Sequence, residues 1–161
     1  MLCAGRTGPL RNPQPGAAHT GRTVAGRVPR TAYDARMDRQ DVARWVRDYE
    51  TVWRSADVTA PLRALFHEDA TYRMGPFEEE HTGLAAIERL WHAERAGPDE
   101  DFTMASEIVA VDGDTAVVRV EVRYGPPEPR HFLDLWVLRF APDGRCLAFE
   151  EWPFWPGRWH S

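Results

Sequence analysis

The sequence predicts an α+β fold in which helices pack on a curved antiparallel sheet. Three amphipathic helical patterns come before residue 98, and four strands joined by turn signals follow them. Helices and strands that are segregated along a chain in this way are typical of the α+β class. The length of 161 residues suits a single domain.

The clearest helix is predicted from Asp38 onward. Apolar residues recur at three- and four-residue spacing over positions 42–53, which is the period of a helix with one buried face. Asp38 is placed to cap this helix. Similar patterns predict a shorter helix near 59–66 and a third near 82–97, with a short strand at 70–74 between them.

The second half of the chain predicts four strands in two hairpins. Residues 102–124 contain two alternating runs around Asp-Gly-Asp at 112–114. Residues 131–152 contain two more around Ala-Pro-Asp-Gly at 141–144, where Pro fixes φ and Gly accepts a left-handed conformation. We expect the second hairpin to form the centre of the sheet, since its first strand is apolar on both faces.

The N-terminal segment, residues 1–36, differs from the rest of the chain. It is rich in Gly, Pro, Ala and Arg and has no helical or strand period, so we predict that it is disordered. It is either a basic anchor, a transit peptide or a segment upstream of the true start at Met37. The folded domain is therefore predicted to span residues 37–161.

Composition limits the function classes. Residues 37–161 hold 14 Arg against 24 acidic residues, an excess of negative charge that would repel nucleic acid. No apolar run is long enough for a membrane span, and Cys3 and Cys146 are not placed to form a disulfide, which suits the cytoplasm. No spacing of ligands predicts a metal, and no Gly-rich loop predicts a nucleotide cofactor. All 20 basic residues are Arg, which indicates a high-GC bacterial genome.

Four short motifs resemble those of one fold family. They are Tyr49…Trp53…Ala56-Asp57, Leu65-Phe66…Asp69-Ala70-Thr71-Tyr72, Gly83-Leu84-Ala85-Ala86-Ile87 and Leu138-Arg139-Phe140…Asp143-Gly144-Arg145. On these motifs the chain from Asp38 to about Trp155 resembles a nuclear transport factor 2-like, or SnoaL-like, domain. The resemblance implies a cone-shaped half-barrel in which a bent antiparallel sheet wraps three N-terminal helices around an apolar pocket. It also implies a homodimer formed through the outer face of the sheet.

The function implied by the resemblance is the binding of a small apolar or aromatic molecule. Members of this family include isomerases, cyclases, hydrolases and proteins that only bind, so the chain is either an enzyme of one of these types or a non-catalytic module. Tyr49 matches the hydroxyl donor of the ketosteroid isomerase pattern. Met74 stands where that pattern has its proton-transferring aspartate, and Trp136 stands where it has a second donor. A thioether cannot accept a proton, which argues against that isomerase mechanism.

Two carboxylates on the central hairpin are the strongest candidates for catalysis. If Trp136 faces the pocket, as the resemblance implies, Asp134 does too, because side chains alternate along a strand. A four-residue turn would place Glu151 opposite Asp134, whereas a three-residue turn would bring Glu150 to that face. Two carboxyls about 5 Å apart in an apolar pocket would share one proton and could act as acid and base. Alternatively, both lie at the mouth and pair with Arg in solvent.

The strand from Arg119 to Tyr124 has two possible orientations. With its charged face inward, Arg123 or Arg119 would join the carboxylates, with Glu121 between them, and the Val face would form a dimer contact. With the Val face inward, the charges would coat the exterior. We expect the first orientation and Asp134, Glu151, Arg123 and Tyr49 as the catalytic set. The expected ligand-binding residues are Trp53, Tyr72, Met74, Trp91, Glu121, Trp136 and Phe149.

Overall fold

The computed structural model describes residues 36–127 and 129–157. Apart from Arg36, the segment predicted to be disordered lies outside these residues. Within the described ranges the chain forms three helices and six strands in one sheet, which confirms the α+β prediction. The elements are α1 Arg39–Trp53, α2 Thr59–Leu65, β1 Phe66–Arg73, β2 His81–Thr82, α3 Leu84–Glu94, β3 Phe102–Asp112, β4 Thr115–Tyr124, β5 Arg130–Phe140 and β6 Cys146–Phe154.

The sheet has the strand order β2-β1-β6-β5-β4-β3. The four strands predicted from the second half of the chain pair antiparallel in sequence order, from β3 to β6. A wholly antiparallel sheet was expected, but strand β1 pairs parallel to β6. The two-residue strand β2 pairs with β1 at the edge and is too short to leave a period in the sequence.

Helix α1 lies across one face of the sheet and buries an aromatic stripe against it. Asp38 caps the helix, and its carboxylate accepts hydrogen bonds from the backbone N–H groups of Gln40 and Asp41. The Asp41 carboxylate accepts from the backbone N–H of Asp38 in return, which completes a capping box. On the buried face, Trp45 packs edge-on against Phe140 of β5 with ring centroids 5.7 Å apart.

The turn between β5 and β6 has three residues, 142–144, because the backbone N–H of Ala141 donates to the carbonyl of Arg145 at 2.8 Å. The four-residue turn on which the expected register rested is therefore wrong. A bulge follows at once: Arg139 lies opposite Ala148, whereas Phe140 lies opposite Cys146. An extra residue in one strand reverses which face the following side chains occupy.

The bulge returns Glu151 to the inner face, two positions away from the expected pairing. Glu151 lies opposite Trp136, and Asp134 lies opposite Pro153. Glu150 points to the outer face, where its carboxylate is 2.9 Å from the guanidinium of Arg73. A short turn alone would have put Glu150 inside, so the bulge decides which glutamate reaches the pocket.

Strand β4 has the orientation opposite to the one expected. Val118, Val120 and Val122 are buried on the inner face. Arg123 and Glu121 lie on the outer face, where they form an ion pair, and Glu121 also contacts His131 Nε2 at 2.9 Å. Burying three Val side chains is favourable, whereas an inward ladder of charges would have to lose its hydration, so the apolar face turns in.

The cap of α1 gives a test of the helix assignment. We expect Asp38→Ala to lower the free energy of unfolding by about 1 kcal/mol, since two backbone N–H groups lose their acceptor. Urea denaturation measures the change. Asp48→Ala, at an exposed position of the same helix, is the matched control and should cost less. Equal losses in both variants would contradict a capping role for Asp38.

Candidate functional site

The inner face of the sheet and the helices enclose a cavity of about 590 Å³. Helices α1 and α3 supply one wall, strands β3 to β6 supply the other, and β1, β2 and the loop between them complete the lining. The lining is mostly aromatic, with carboxylates at its base and at its mouth. It consists of Tyr49, Trp53, Tyr72, Met74, Glu78, Glu79, His81, Leu90, Trp91, Glu94, Phe102, Met104, Val122, Tyr124, Arg130, Phe132, Asp134, Trp136, Glu151, Pro153 and Trp155.

Among the described residues, Asp134 is the one ionisable acidic or basic residue that is buried, with 5% of its surface exposed. Strand β5 puts it on the inner face because Trp136 and Leu138, at the same alternation, are held in the core. Its Oδ1 atom is buried and has no hydrogen-bond donor among the described residues. Its neighbour is the carboxyl of Glu151, and two carboxyl groups can share a hydrogen bond only when one of them is protonated.

The surroundings of the two carboxyl groups decide which of them holds the proton. Burial, together with the Glu151 charge, raises the pKa of Asp134 to about 8. Burial also raises the pKa of Glu151, but hydrogen bonds from the Trp136 indole, at 3.1 Å, and from Asp134 favour its ionised form. When the pair carries a single negative charge, the proton is therefore on Asp134 and the charge is on Glu151.

Two tyrosine hydroxyls lie beside the carboxylates. The hydroxyl oxygens of Tyr49, from α1, and Tyr72, from β1, are 2.9 Å apart. Burial raises the pKa of both well above the ordinary value, so both stay protonated. One hydroxyl donates to the other, which leaves the second with a hydrogen for another acceptor. Phe149 fixes both rings by stacking, at centroid distances of 5.6 Å to Tyr49 and 4.3 Å to Tyr72.

The mouth of the cavity carries more acidic than basic groups. Glu78, Glu79 and Glu94 are exposed and have no ion-pair partner within the described part of the chain. Arg130, at the start of β5, places its guanidinium 4.6 Å from the ring centroid of Tyr124. The remaining wall near this end is aromatic and includes the exposed Trp155.

A family model for the SnoaL-like domain matches residues 46–149, which is more than half of the chain. The chain belongs to the SnoaL-like domain family. A search of curated proteins returned no match.

Solved structures support the same fold for this SnoaL-like protein. A putative ketosteroid isomerase from Kribbella flavida is 21% identical, with 75% of this chain and 87% of that chain covered and a TM-score of 0.55. The epoxide hydrolase/cyclase-like enzyme SalBIII of salinomycin formation is 18% identical, with coverage of 73% and 93% and a TM-score of 0.60. A putative SnoaL-like polyketide cyclase from Jannaschia is 16% identical, with coverage of 73% and 90% and a TM-score of 0.58. At these identities the likeness concerns the fold.

Most of the residues expected at the site of this SnoaL-like domain do line the cavity. Asp134, Glu151 and Tyr49 of the expected catalytic set meet there, and Arg123 lies on the outer face, with Glu121. Phe149 is buried behind the tyrosines rather than in the cavity wall. The other expected ligand contacts, Trp53, Tyr72, Met74, Trp91 and Trp136, line the cavity.

The sequence reasoning missed Tyr124, Arg130 and Glu94. The first two could have been found by extending the inner-face alternation of β4 and β5 past Val122 and Phe132. Glu94 had no such signal, because its place at the mouth depends on how α3 packs on the sheet. Its negative charge reaches Glu151 and helps to raise the pKa of that carboxyl.

Two further observations limit the interpretation of the SnoaL-like domain. Across residues 36–127 and 129–157, no group of three or more His, Cys, Asp or Glu side chains is placed to hold a metal ion. None of the helices in these ranges is long and apolar enough to cross a membrane. The cytoplasmic location stays a prediction.

The raised pKa of Asp134 predicts a pH-dependent stability. The folded protein holds a proton up to about pH 8, whereas an aspartate with the ordinary pKa of 3.8 has released it. The contribution of Asp134 to the free energy of unfolding should therefore fall as pH rises from about 4 to about 8, by at most about 1.4 kcal/mol per pH unit. The raised pKa of Glu151 acts in the same direction. We expect Asp134→Asn to weaken this dependence and to exceed the wild type in stability at about pH 9.

Urea denaturation across this pH range measures the effect. Asp99→Asn, which removes an exposed carboxylate in a loop, is the control and should keep the wild-type slope. A wild type whose stability rises from pH 5 to pH 8 would show that Asp134 is ionised in the folded protein.

Proposed function

We propose that this SnoaL-like protein binds a small, largely apolar ring compound in the cavity and moves a proton on it. The observation that carries the proposal is the buried pair formed by Asp134 and Glu151. A cavity of about 590 Å³ can hold a compound of drug-like size. Its buried polar groups, the two carboxyls and the two tyrosine hydroxyls, converge on one end, which is the arrangement expected when a ligand must be oriented for a reaction.

The two carboxyls have complementary roles in the proposal. Glu151, held as a carboxylate by the Trp136 indole, is the base that takes a proton from carbon or from water. Asp134, kept protonated by burial, is the acid that gives a proton to a developing oxygen anion. Because the environment pushes the two protonation states apart, both forms are available at the same pH.

The tyrosine pair supplies the third element. Whichever of Tyr49 and Tyr72 accepts the hydrogen bond between them has its own hydrogen left to donate to a substrate oxygen. Tyr49 is thus proposed as a hydroxyl donor, in agreement with its match to the isomerase pattern. Arg123 has no part in the proposal, since it lies on the opposite side of the sheet.

Isomerase- or cyclase-type proton transfer is favoured over epoxide hydrolysis. The resemblance implies that the family's epoxide hydrolases use two carboxylates together with an arginine, and Arg123 or Arg119 was expected to supply that arginine. Among the described residues that line the cavity, the arginine is Arg130, which lies at the mouth over Tyr124. Proton transfer through Glu151 and Asp134 does not need an arginine.

A non-catalytic binding role is the second candidate. Met74 lines the cavity where the isomerase pattern has its catalytic aspartate, and this favours a loss of that chemistry. A cavity packed solid by Trp and Met would have supported this role further. The open cavity with converging carboxyls instead supports turnover.

The outer face of the sheet supports the proposal of a homodimer. Leu133, 48% exposed, and Trp152, 37% exposed, lie there with the half-buried Leu135 and Val137. Exposed apolar patches of this kind favour association, and a two-fold dimer would cover the same patch on both copies. The expected patch was the Val face of β4; the proposed patch is instead centred on β5.

Ring opening of 5-nitrobenzisoxazole tests proton abstraction without knowledge of the substrate. In this reaction a base removes the C–H proton, the nitrile forms, and the N–O bond breaks to release a phenolate. We expect the protein to accelerate it beyond equimolar acetate, and Glu151→Gln to lower the rate by about a hundredfold to ten-thousandfold. The absorbance of the phenolate measures the rate.

Two variants serve as comparisons for this assay. Glu107→Gln removes an exposed carboxylate that pairs with Arg119, outside the cavity. It changes the net charge by the same amount as Glu151→Gln and should keep the wild-type rate. Asp134→Asn should lower the rate less than Glu151→Gln, because it removes the acid and leaves the base. Wild-type activity in Glu151→Gln would remove Glu151 from the mechanism.

The dimer has a separate test. We expect the wild type to sediment as a dimer and Leu133→Glu to sediment as a monomer, because the change would bury a charge in the proposed contact. Thr103→Glu, which adds the same charge at the exposed edge strand β3, should remain a dimer. A monomeric wild type at micromolar concentration would contradict the proposed interface.

A further inference from the structure

The cavity wall carries an excess of negative charge that the proposed proton transfer does not use. Two of its five carboxyl groups form the proton-sharing pair at the base, and three line the mouth. Arg130 is the arginine among the described lining residues, and His81 is the histidine. The five carboxyl groups are Glu78, Glu79, Glu94, Asp134 and Glu151.

Aromatic rings cover much of the surface between these charges. Trp53 and Trp91 meet edge to face, with centroids 4.9 Å apart, and Tyr49 lies 4.9 Å from Trp91. The faces of Trp and Tyr rings attract cations, and more strongly where water is excluded. One such cation–ring contact is present at the mouth, where the Arg130 guanidinium lies 4.6 Å from the ring centroid of Tyr124.

The carboxyl pair at the base of the cavity is only partly supplied with hydrogen-bond partners. Asp134 is 5% exposed and lines the cavity, and its buried Oδ1 atom has no donor within the described ranges. Glu151 beside it accepts hydrogen bonds from the Trp136 indole and from the protonated Asp134, and a carboxylate can accept more. A buried negative charge with unused acceptor sites is costly unless a positive group or a donor approaches it.

We propose that the ligand of this cavity is a cationic amine, a protonated or quaternary ammonium group on a compact ring-containing body. The inference rests on the proposed function, in that it assumes the cavity to be the ligand site, and it adds the charge of the ligand. The ammonium group lies against Trp and Tyr faces and neutralises the single negative charge of the carboxyl pair. The acidic mouth attracts such a ligand and repels carboxylates, phosphates and sulfonates.

The buried carboxyl pair should contribute more to the affinity for a cation than the carboxylates at the mouth. Glu78, Glu79 and Glu94 are exposed, and dissolved salt screens exposed charges beyond about 8 Å at physiological ionic strength. Asp134 and Glu151 lie where water is largely excluded, so their attraction for a cation is screened less. The two groups of carboxylates can therefore be separated by variants and by salt.

Three probes of one shape and three charges test the inference: benzyltrimethylammonium, neopentylbenzene and phenylmethanesulfonate. We expect the cation to bind at least about tenfold more tightly than the neutral probe, and the anion not to bind. Fluorescence of the tryptophans that line the cavity reports binding to the full-length protein. Glu151→Gln should remove the preference for the cation, with the neutral probe still bound.

A matched pair of variants identifies the source of the preference. Glu94→Gln, at the mouth, should reduce cation affinity by a few-fold at low salt and less at high salt. Glu107→Gln, with the same change of net charge on the outer face, should leave all three affinities unchanged.

The outcomes separate this inference from the proposed function. Equal or tighter binding of neopentylbenzene would overturn the cationic ligand and leave the cavity as an apolar binding site. Tightest binding of the sulfonate would overturn it as well. If no probe binds, the inference falls together with the cavity as the ligand site, whereas ring opening of 5-nitrobenzisoxazole tests the carboxyl pair independently.

Discussion

The packing of Tyr49 against the inner face of the sheet is the contact on which the site depends. Its ring stacks on Phe149 with planes 7° apart and lies 4.7 Å from the ring of Trp136. This contact joins α1 to β5 and β6 through a buried aromatic cluster, and aromatic pairs of this kind add about 0.5–1.5 kcal/mol each to the free energy gained by burial. It also places Tyr49 in the cavity wall and brings its hydroxyl next to Tyr72.

The carboxyl pair exists because this apolar enclosure forms around it. In water, Asp134 and Glu151 would both ionise and repel each other at moderate cost. In the folded protein, burial makes a second negative charge unfavourable, so a proton stays on Asp134 near neutral pH. The Trp136 indole, itself fixed by Tyr49, decides that Glu151 is the partner that carries the charge. The aromatic packing therefore determines the acid–base properties of the carboxyl pair.

The same enclosure links the proposed chemistry to the proposed ligand. An aromatic wall with a single negative charge at its base suits a molecule with a ring and a positive group, and the Arg130 contact with Tyr124 shows that the mouth accommodates a cation. The outer face of the sheet presents the opposite pattern, with Leu133 and Leu135 near the centre and ion pairs such as Arg119 with Glu107 toward an edge. One sheet thus separates a candidate site from a candidate interface by its alternation alone.

Local patterns in the sequence determined the elements. The helical period and the Asp38 cap predicted α1, and the turn at 141–144 predicted the β5–β6 hairpin. Each of these signals depends only on residues that are close together in the sequence. Alternation then placed Asp134 and Trp136 on a common face. These features need no knowledge of distant contacts.

Only the tertiary structure decided which face of each strand looks inward and which residues meet. Alternation in β4 is symmetrical between its Val and its Arg faces, and the choice depends on what covers each side of the sheet. The place of Glu151 depends on a bulge after Cys146 that no turn signal marks, since a bulge is stabilised by the pairing of both strands. Faces and registers are settled by burial across the whole domain, and that is why Arg123 lies outside and Arg130 at the mouth.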